Sequence, residues 1–193
     1  MGPPLTRSWA YRPAMTPEQL ERFAKDLTYE VRMLDATARA LLATPPSLER
    51  NAFLESLLIH ARVLDEFLGH DRQHDNVTAG DYAPAWNMKP LPDKLRRVTN
   101  KLVAHPSAAR LTKEAVNFHA AARGVLAGFQ EFVDQLDEPE REWFAEAATV
   151  AAGYLRLPTP MNATTTTSTT TVSYLSVRDS LMDYSASPVA DDD

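Results

Sequence analysis

Residues 51–68 read NAFLESLLIHARVLDEFL, and this stretch decides the fold. Its apolar side chains recur every three or four positions, which is the spacing of one face of an α-helix. A polar stripe spanning about 60° lies beside that face, at 100° per residue. The stripe consists of Asn51, Glu55, Arg62 and Glu66. Because an uncompensated buried charge is costly, such a stripe is either solvated or paired. We expect a buried seam in which Arg62 bonds Glu55, Glu66 or Asn100.

The same spacing continues toward the N-terminus and predicts a helix from residue 17 to about residue 42. It begins with the capping signal Thr16, Pro17 and Gln19, in which Thr16 caps the helix and Gln19 completes a capping box. The pair Pro45-Pro46 ends this helix, and Ser47 is placed to cap the helix that contains residues 51–68. Because the connection is short, we expect these two helices to be antiparallel neighbours.

Three further helices are predicted at 92–105, 112–136 and 143–154. No alternating pattern typical of strands competes with them, so the fold class is all-α, a bundle of about five helices. Residues 69–91 have no sustained periodicity, and we expect Tyr82 and Trp86 to hold part of this long loop against the bundle. Gly124 and Gly128 are compatible with close helix contact or are simply tolerated small residues.

The chain divides into three parts by composition. Residues 1–15 contain three prolines and are predicted to form an extended N-terminal arm, and residues 16–157 form the bundle domain. Residues 158–193 combine a Thr-rich, low-complexity linker with a tail that is either disordered or weakly docked. Residues 172–184 regain apolar character and are the part of the tail that is able to dock.

Composition excludes several function classes. The net charge of −6 argues against wholesale nucleic-acid binding, although a local basic patch remains compatible with it. There is no cysteine, and hence no disulfide, thiol nucleophile or Cys-ligated zinc. No apolar run is long enough to span a membrane and no secretory signal is recognisable, so we predict a cytoplasmic protein without membrane contact.

Four histidines of the chain give no strong functional signal. His70 and His74 have the spacing of a helical metal pair but fall in the loop, where a solvated surface is the simpler interpretation. His60 lies near Phe53 and Phe67 and is expected to be a partly buried packing residue, and His119 is similarly ambiguous. We therefore predict no metal site and no cofactor.

The helix at 92–105 carries a basic ridge spanning about 80° of its surface. The ridge consists of Lys94, Arg97, Lys101 and His105. The ridge is able to hold phosphates, but the simpler interpretation is a solvated face that pairs with Glu55 or Glu66. His105 is the best acid–base candidate because histidine titrates near neutral pH. Its place before Pro106 also allows a purely structural interaction with the helix dipole.

The segments LLIHARVLDEFL (57–68) and NKLVAH (100–105), on successive helices of a small bundle, resemble HEPN-type helical proteins. The resemblance implies four or five packed helices, often a dimer, and in active members a metal-independent ribonuclease. The motif of those members is Arg, four to six residues and then His, with a polar residue after the Arg. His105 matches the histidine and Lys101 the polar position, whereas Asn100 stands where the arginine is expected.

Two functions follow from these observations. The leading hypothesis is a non-enzymatic helical interaction module for protein or RNA association, of the kind found in bacterial defence or toxin–antitoxin systems. Its partner is a protein, an RNA or a second copy of the chain, and its binding residues are Asn51, Glu55, Arg62, Lys94 and Arg97. The alternative is a HEPN-like ribonuclease with His105 as base and Lys101 and Asn100 beside it, because metal-free RNA cleavage needs a base and a cation.

Overall fold

The computed structural model describes residues 14–69, 76–93, 96 and 117–158. These ranges contain five α-helices and no strand, which confirms the all-α prediction. The helices are α1 (Pro17–Ala43), α2 (Leu48–Leu68), α3 (Phe118–Asp134), α4 (Glu140–Trp143) and α5 (Ala145–Leu155), with a single 3₁₀ turn at Ala79–Asp81. The predicted arm and tail lie outside the described residues, apart from the positions next to the bundle.

The two predicted helix starts are confirmed in atomic detail. Thr16 accepts a hydrogen bond from the Gln19 amide, and the Gln19 side chain accepts one from the Thr16 amide, at 3.3 and 2.9 Å. Ser47 accepts a bond from the amide of Arg50 at 3.1 Å. These caps satisfy amides that the first turn of a helix leaves without intrahelical partners.

Two helix boundaries differ from the sequence prediction. The helix predicted from residue 112 starts at Phe118 in the structure, because Asn117 has extended backbone angles and its side chain caps α3 through the Ala120 amide. The last predicted helix is divided by Phe144 into the short α4 and the longer α5. Residues 112–116 and most of 92–105 lie outside the described residues.

Four helices form a ring in the order α1, α2, α3, α5, each packed on its neighbours. Phe23 meets Phe67, with 6.5 Å between ring centroids, and Glu30 bonds His60, so α1 and α2 are antiparallel as predicted. In the same way Phe129 contacts Phe144 near the start of α5 while residue 119 meets residue 154 near its end, so α3 and α5 are antiparallel.

The relative direction of α2 and α3 explains why the connection between them is long. Arg32 bonds Glu146 and Arg39 lies over Tyr154, so α1 runs parallel to α5. It follows that α2 and α3, which are neighbours in the ring, are parallel to each other. The last residue of α2 and the first residue of α3 therefore lie at opposite ends of the bundle. Because the 21-residue α2 is about 30 Å long, no short turn can join them.

One end of the bundle is filled by aromatic rings, and we call it the aromatic end. Phe132 of α3 is its centre, with ring centroids of five neighbours between 5.2 and 6.1 Å away, mostly edge to face. The neighbours are Phe67, Tyr82, Trp86, Phe129 and Phe144. Such edge-to-face pairs add to the stabilisation that comes from burying large apolar area.

The loop after α2 is fastened to this end by polar contacts as well. Trp86 donates from Nε1 to the Leu68 carbonyl at 2.8 Å, which satisfies a carbonyl in the last turn of α2. Tyr82 donates its hydroxyl to the Leu20 carbonyl at 2.8 Å. The expected role of these two aromatics is therefore seen in the structure. Gly128 permits a further close approach, because a Cβ there would lie 2.7 Å from Cβ of Pro90.

Candidate functional site

The polar stripe of α2 lies at the surface, and the expectation of a buried seam is wrong. Arg62 bonds Glu66 from Nε to Oε1 at 2.7 Å, and their side chains are 38% and 47% exposed. Glu55 is also exposed, and Asn51 is half-buried. The physical reason is angular: the stripe is centred roughly 120° away from the arc of α2 that the core buries. Arg62 does bond one of the predicted carboxylates, but across one helical turn in water.

The outward face of α2 also carries apolar side chains. Ile59 and Val63 stand one turn apart, 50% and 38% exposed, next to the charged stripe. On the adjoining helix, Tyr29 is 56% exposed and its ring meets the His60 ring edge-on at 5.9 Å. Ile59, Val63 and Tyr29 together with the stripe residues are called the α2 outer face below.

His60 does more than pack. Its Nδ1 lies 2.6 Å from Oε2 of Glu30, and both side chains are largely buried between α1 and α2. The contact ties the middle of the two helices together, so this histidine is engaged within the fold. The neighbouring Phe53 packs against the core as expected, and Phe67 is fully part of it.

The more deeply buried of the two buried charges of α2 is Asp65, which the sequence analysis did not single out; the other is Arg50. The Asp65 side chain is 3% exposed and accepts two bonds from Arg96, at 2.6 and 3.0 Å, plus the Leu91 amide at 3.1 Å. Arg96 donates further to the Leu91 carbonyl at 3.2 Å. Charge-assisted, two-point pairing compensates for removing the carboxylate from water. The available signal was that Asp65, unlike Glu66 next to it, falls on the apolar arc of the helix together with Leu64 and Leu68.

All four residues of the predicted basic ridge lie outside the described part of the chain. The residues Lys94, Arg97, Asn100, Lys101 and His105 lie outside the described residues, so their catalytic and binding roles stay predictions. Asp93 and Arg96 are helical, which agrees with a helix that begins near Pro92. Arg96, the basic residue of this segment that the structure describes, is committed to Asp65 and so holds the loop to α2.

A second polar arrangement occupies the end of the bundle opposite the aromatic rings, and we call it the polar end. The hydroxyl of Tyr154 on α5 lies 2.7 Å from Nδ1 of His119 in the first turn of α3. The Arg39 guanidinium of α1 lies 5.7 Å from the centre of the Tyr154 ring and bonds Asp35 at 2.7 Å. Arg123 of α3 also belongs to the polar end and donates hydrogen bonds to the carbonyls of Leu155 and Leu157.

The surroundings of the polar end favour the neutral form of both hydrogen-bonded partners. Burial, together with the nearby Arg123 guanidinium, lowers the pKa of His119 below its ordinary value of 6.5. Burial likewise raises the pKa of Tyr154 to about 12. Nε2 of His119 is buried and has no hydrogen-bond partner among the residues that the structure describes. The sequence left His119 open, because its partner lies 35 positions away in the chain.

The described parts of the chain lack two structural features. Within residues 14–69, 76–93, 96 and 117–158, no group of three or more side chains is arranged to hold a metal ion. Over the same ranges, none of the helices combines the length and the apolar character needed to cross a bilayer.

No protein-family model matches the sequence, and no curated protein or solved structure is detectably similar to it.

Proposed function

We propose that this protein is a non-enzymatic helical module that binds another protein through the α2 outer face. The observation that carries the proposal is the exposure of Ile59 and Val63, one helical turn apart beside the Arg62–Glu66 ion pair. Apolar anchors surrounded by charged groups are the usual composition of a protein-binding surface. Tyr29 on the adjoining helix enlarges the apolar part, and aromatic side chains are enriched at such surfaces.

The charges of this face favour a protein over an RNA. It carries two carboxylates, Glu55 and Glu66, and one cation, Arg62, on a chain whose net charge is −6. Affinity for nucleic acid comes largely from cations that neutralise phosphates, and a face with more acid than base lacks that contribution. A partner with both basic and apolar groups fits the face better.

The pairing of the ionisable groups supports a non-enzymatic role. Asp65 is held by Arg96, His60 contacts Glu30, and His119 contacts Tyr154. Each of these contacts joins two different segments of the fold, so these groups act in holding the bundle together. An acid or base that works on a substrate must instead reach it within hydrogen-bonding distance.

Site-specific photo-crosslinking tests the proposed face. A photoreactive amino acid at position 59 or 63, in cells that express the protein, should give a discrete crosslinked protein that mass spectrometry identifies. The matched control carries the same amino acid at position 127, where Ala127 is exposed on α3, and should give no discrete crosslinked protein. Calorimetry with the purified partner should then show binding that Val63→Glu abolishes and Ala127→Glu leaves unchanged. Equal crosslinking at 63 and 127 would contradict the proposal.

An RNA-cleavage assay separates this proposal from the ribonuclease hypothesis. Purified protein is incubated with total RNA in the presence of EDTA, beside the variant His105→Ala. We expect no cleavage by either protein. Metal-independent cleavage that disappears with His105→Ala would overturn the proposal and favour the ribonuclease.

A further inference from the structure

We propose that His119 is an acid-sensitive joint of the fold, whose protonation detaches the C-terminal end of α5 from the first turn of α3. The proposal is independent of the function proposed for α2, because it concerns the opposite side of the helix ring. Its basis is the geometry of the polar end, where a single histidine links two helix termini.

The end of α5 is fastened to α3 by two sets of contacts. One is the 2.7 Å contact between the Tyr154 hydroxyl and Nδ1 of His119. The other comes from Arg123, which donates to the carbonyls of Leu155 and Leu157 at 2.9 and 3.1 Å and so satisfies the last turn of α5. The arginine remains charged at every ordinary pH, whereas the histidine titrates. The first set of contacts is therefore the one that pH can change.

A neutral ring suits this position and an imidazolium does not. The Tyr154 hydroxyl retains its proton near neutral pH, so it can donate to Nδ1, or accept from it in the other tautomer. In both tautomers one ring nitrogen has a partner. In the tautomer with its proton on Nδ1, protonation adds an N–H on Nε2, which is buried and has no acceptor among the described residues. In the tautomer with its proton on Nε2, protonation places an N–H on Nδ1, so the Tyr154 hydroxyl can no longer donate there and must turn to accept.

The charges around His119 add to this cost. Arg123 on its own helix lowers the pKa of His119, as burial does. From α1, Arg39 is close to Tyr154, and Asp35, the acid at this position, is already bonded to Arg39. From α2, Arg50 is directed to the Thr44 carbonyl at 3.0 Å. A new positive charge on His119 would thus lie near the Arg123 guanidinium, and Asp35, the α1 carboxylate that acts on Tyr154, is already paired with Arg39.

The direction of the pH effect follows from linkage. Because the pKa of His119 is lower in the folded protein than the 6.5 expected after unfolding, the unfolded chain binds more protons between these two values. The stability contributed by the neutral ring is complete above about pH 6.5 and decreases as the pH falls toward the folded pKa. In that window the equilibrium constant for opening increases by up to about tenfold per pH unit.

Histidine NMR on the full-length protein is the primary test. The His119 ring, assigned by its loss in His119→Gln, should titrate below pH 6.5, with Tyr154 and the backbone amides of residues 152–157 shifting at the same midpoint. A midpoint at or above 6.5, or amides that do not respond, would overturn the proposal. This measurement uses the wild-type protein and so does not depend on whether a variant folds.

Variants provide the second test, by urea melts between pH 5.5 and 7.5. His119→Gln keeps a hydrogen-bonding side chain that does not titrate. The free energy of unfolding of this variant should therefore decrease less between pH 7.5 and 5.5 than that of the wild type. His60→Gln is the matched control, since the His60 side chain is also hydrogen-bonded and largely buried. This variant should retain the pH dependence that comes from His119. An unchanged pH profile in His119→Gln would contradict the proposal.

Discussion

The two ends of the bundle are held together by different interactions. At the aromatic end, Phe132 and its neighbours close the helices with apolar rings that do not titrate between pH 5 and 8. At the polar end, Tyr154 and His119 close them with a hydrogen bond flanked by arginines. Apolar packing depends little on pH, whereas the polar contact depends on the charge of one ring. The aromatic end is therefore the fixed part of the fold and the polar end the adjustable part.

The largest effect is expected at the centre of the aromatic end. Phe132→Ala removes a fully buried ring that contacts five others. The variant loses the free energy gained by burying that ring and is further destabilised by the cavity left behind. We expect a loss of about 3–5 kcal/mol in the free energy of unfolding, measured by urea denaturation. Ala127→Ser, exposed on the same helix, should change stability by less than about 0.5 kcal/mol. A loss below about 1.5 kcal/mol for Phe132→Ala would mean that this end is loosely packed.

The buried ion pair beside that end is expected to rank second. Asp65→Asn removes the charge that compensates Arg96 and leaves the guanidinium partly buried, at a cost of about 3 kcal/mol in urea melts. Replacing both residues by leucine should recover most of the loss, because no charge is then left without a partner. If the double replacement is as unstable as Asp65→Asn, the pair does more than compensate for its own burial.

Two glycines of α3 give a matched pair. Gly128→Ala places a Cβ 2.7 Å from Cβ of Pro90 and should cost about 1–3 kcal/mol, because the loop must move away. Gly124→Ala meets the Pro90 carbonyl oxygen at an ordinary 3.5 Å and should be neutral or stabilising by up to about 1 kcal/mol. Thermal melts of the two variants side by side decide the point, and equal effects would show that the loop does not pack this closely.

The sequence predicted what is local and missed what is not. Thr16 and Ser47 bond amides three residues away, so their capping roles could be read from a short stretch of chain. The fold class followed from helical spacing in the same way. The Asp65–Arg96 pair joins residues 31 positions apart, and the sequence around Asp65 does not indicate which residue it pairs with.

The interpretation of Arg62 was wrong for a related reason. Its own sequence neighbours Leu58 and Ala61 are buried, which made burial of the arginine plausible. Whether a helix face is covered depends on which other helices pack there, and α1 and α3 cover different sides of α2. The polar end was missed because His119 and Tyr154 come together only when α3 and α5 pack antiparallel.

At the polar end, Tyr154→Phe tests the contact alone. The variant keeps the ring and removes the hydroxyl that meets His119, so urea melts at pH 7.5 should show a loss of about 1 kcal/mol. Phe replaces Tyr with almost no change in shape, so a loss above about 3 kcal/mol would indicate that the hydroxyl supports more than this one hydrogen bond.

The smallest effect is expected on the α2 outer face. Arg62→Ala removes an exposed ion pair with Glu66, and such pairs contribute less than about 1 kcal/mol. A urea midpoint close to that of the wild type is the expected result. A loss of about 3 kcal/mol or more would restore the buried-seam interpretation.

Hydrogen exchange at pH 7.5 and 5.5, followed by mass spectrometry, tests the contrast between the two ends most directly. After correction for intrinsic exchange, peptides covering residues 150–158 should lose protection at pH 5.5 by up to about tenfold per pH unit below 6.5. Peptides covering residues 129–134 at the aromatic end should show a smaller change. Equal loss of protection at both ends, or none at residues 150–158, would contradict the assignment of a fixed and an adjustable end.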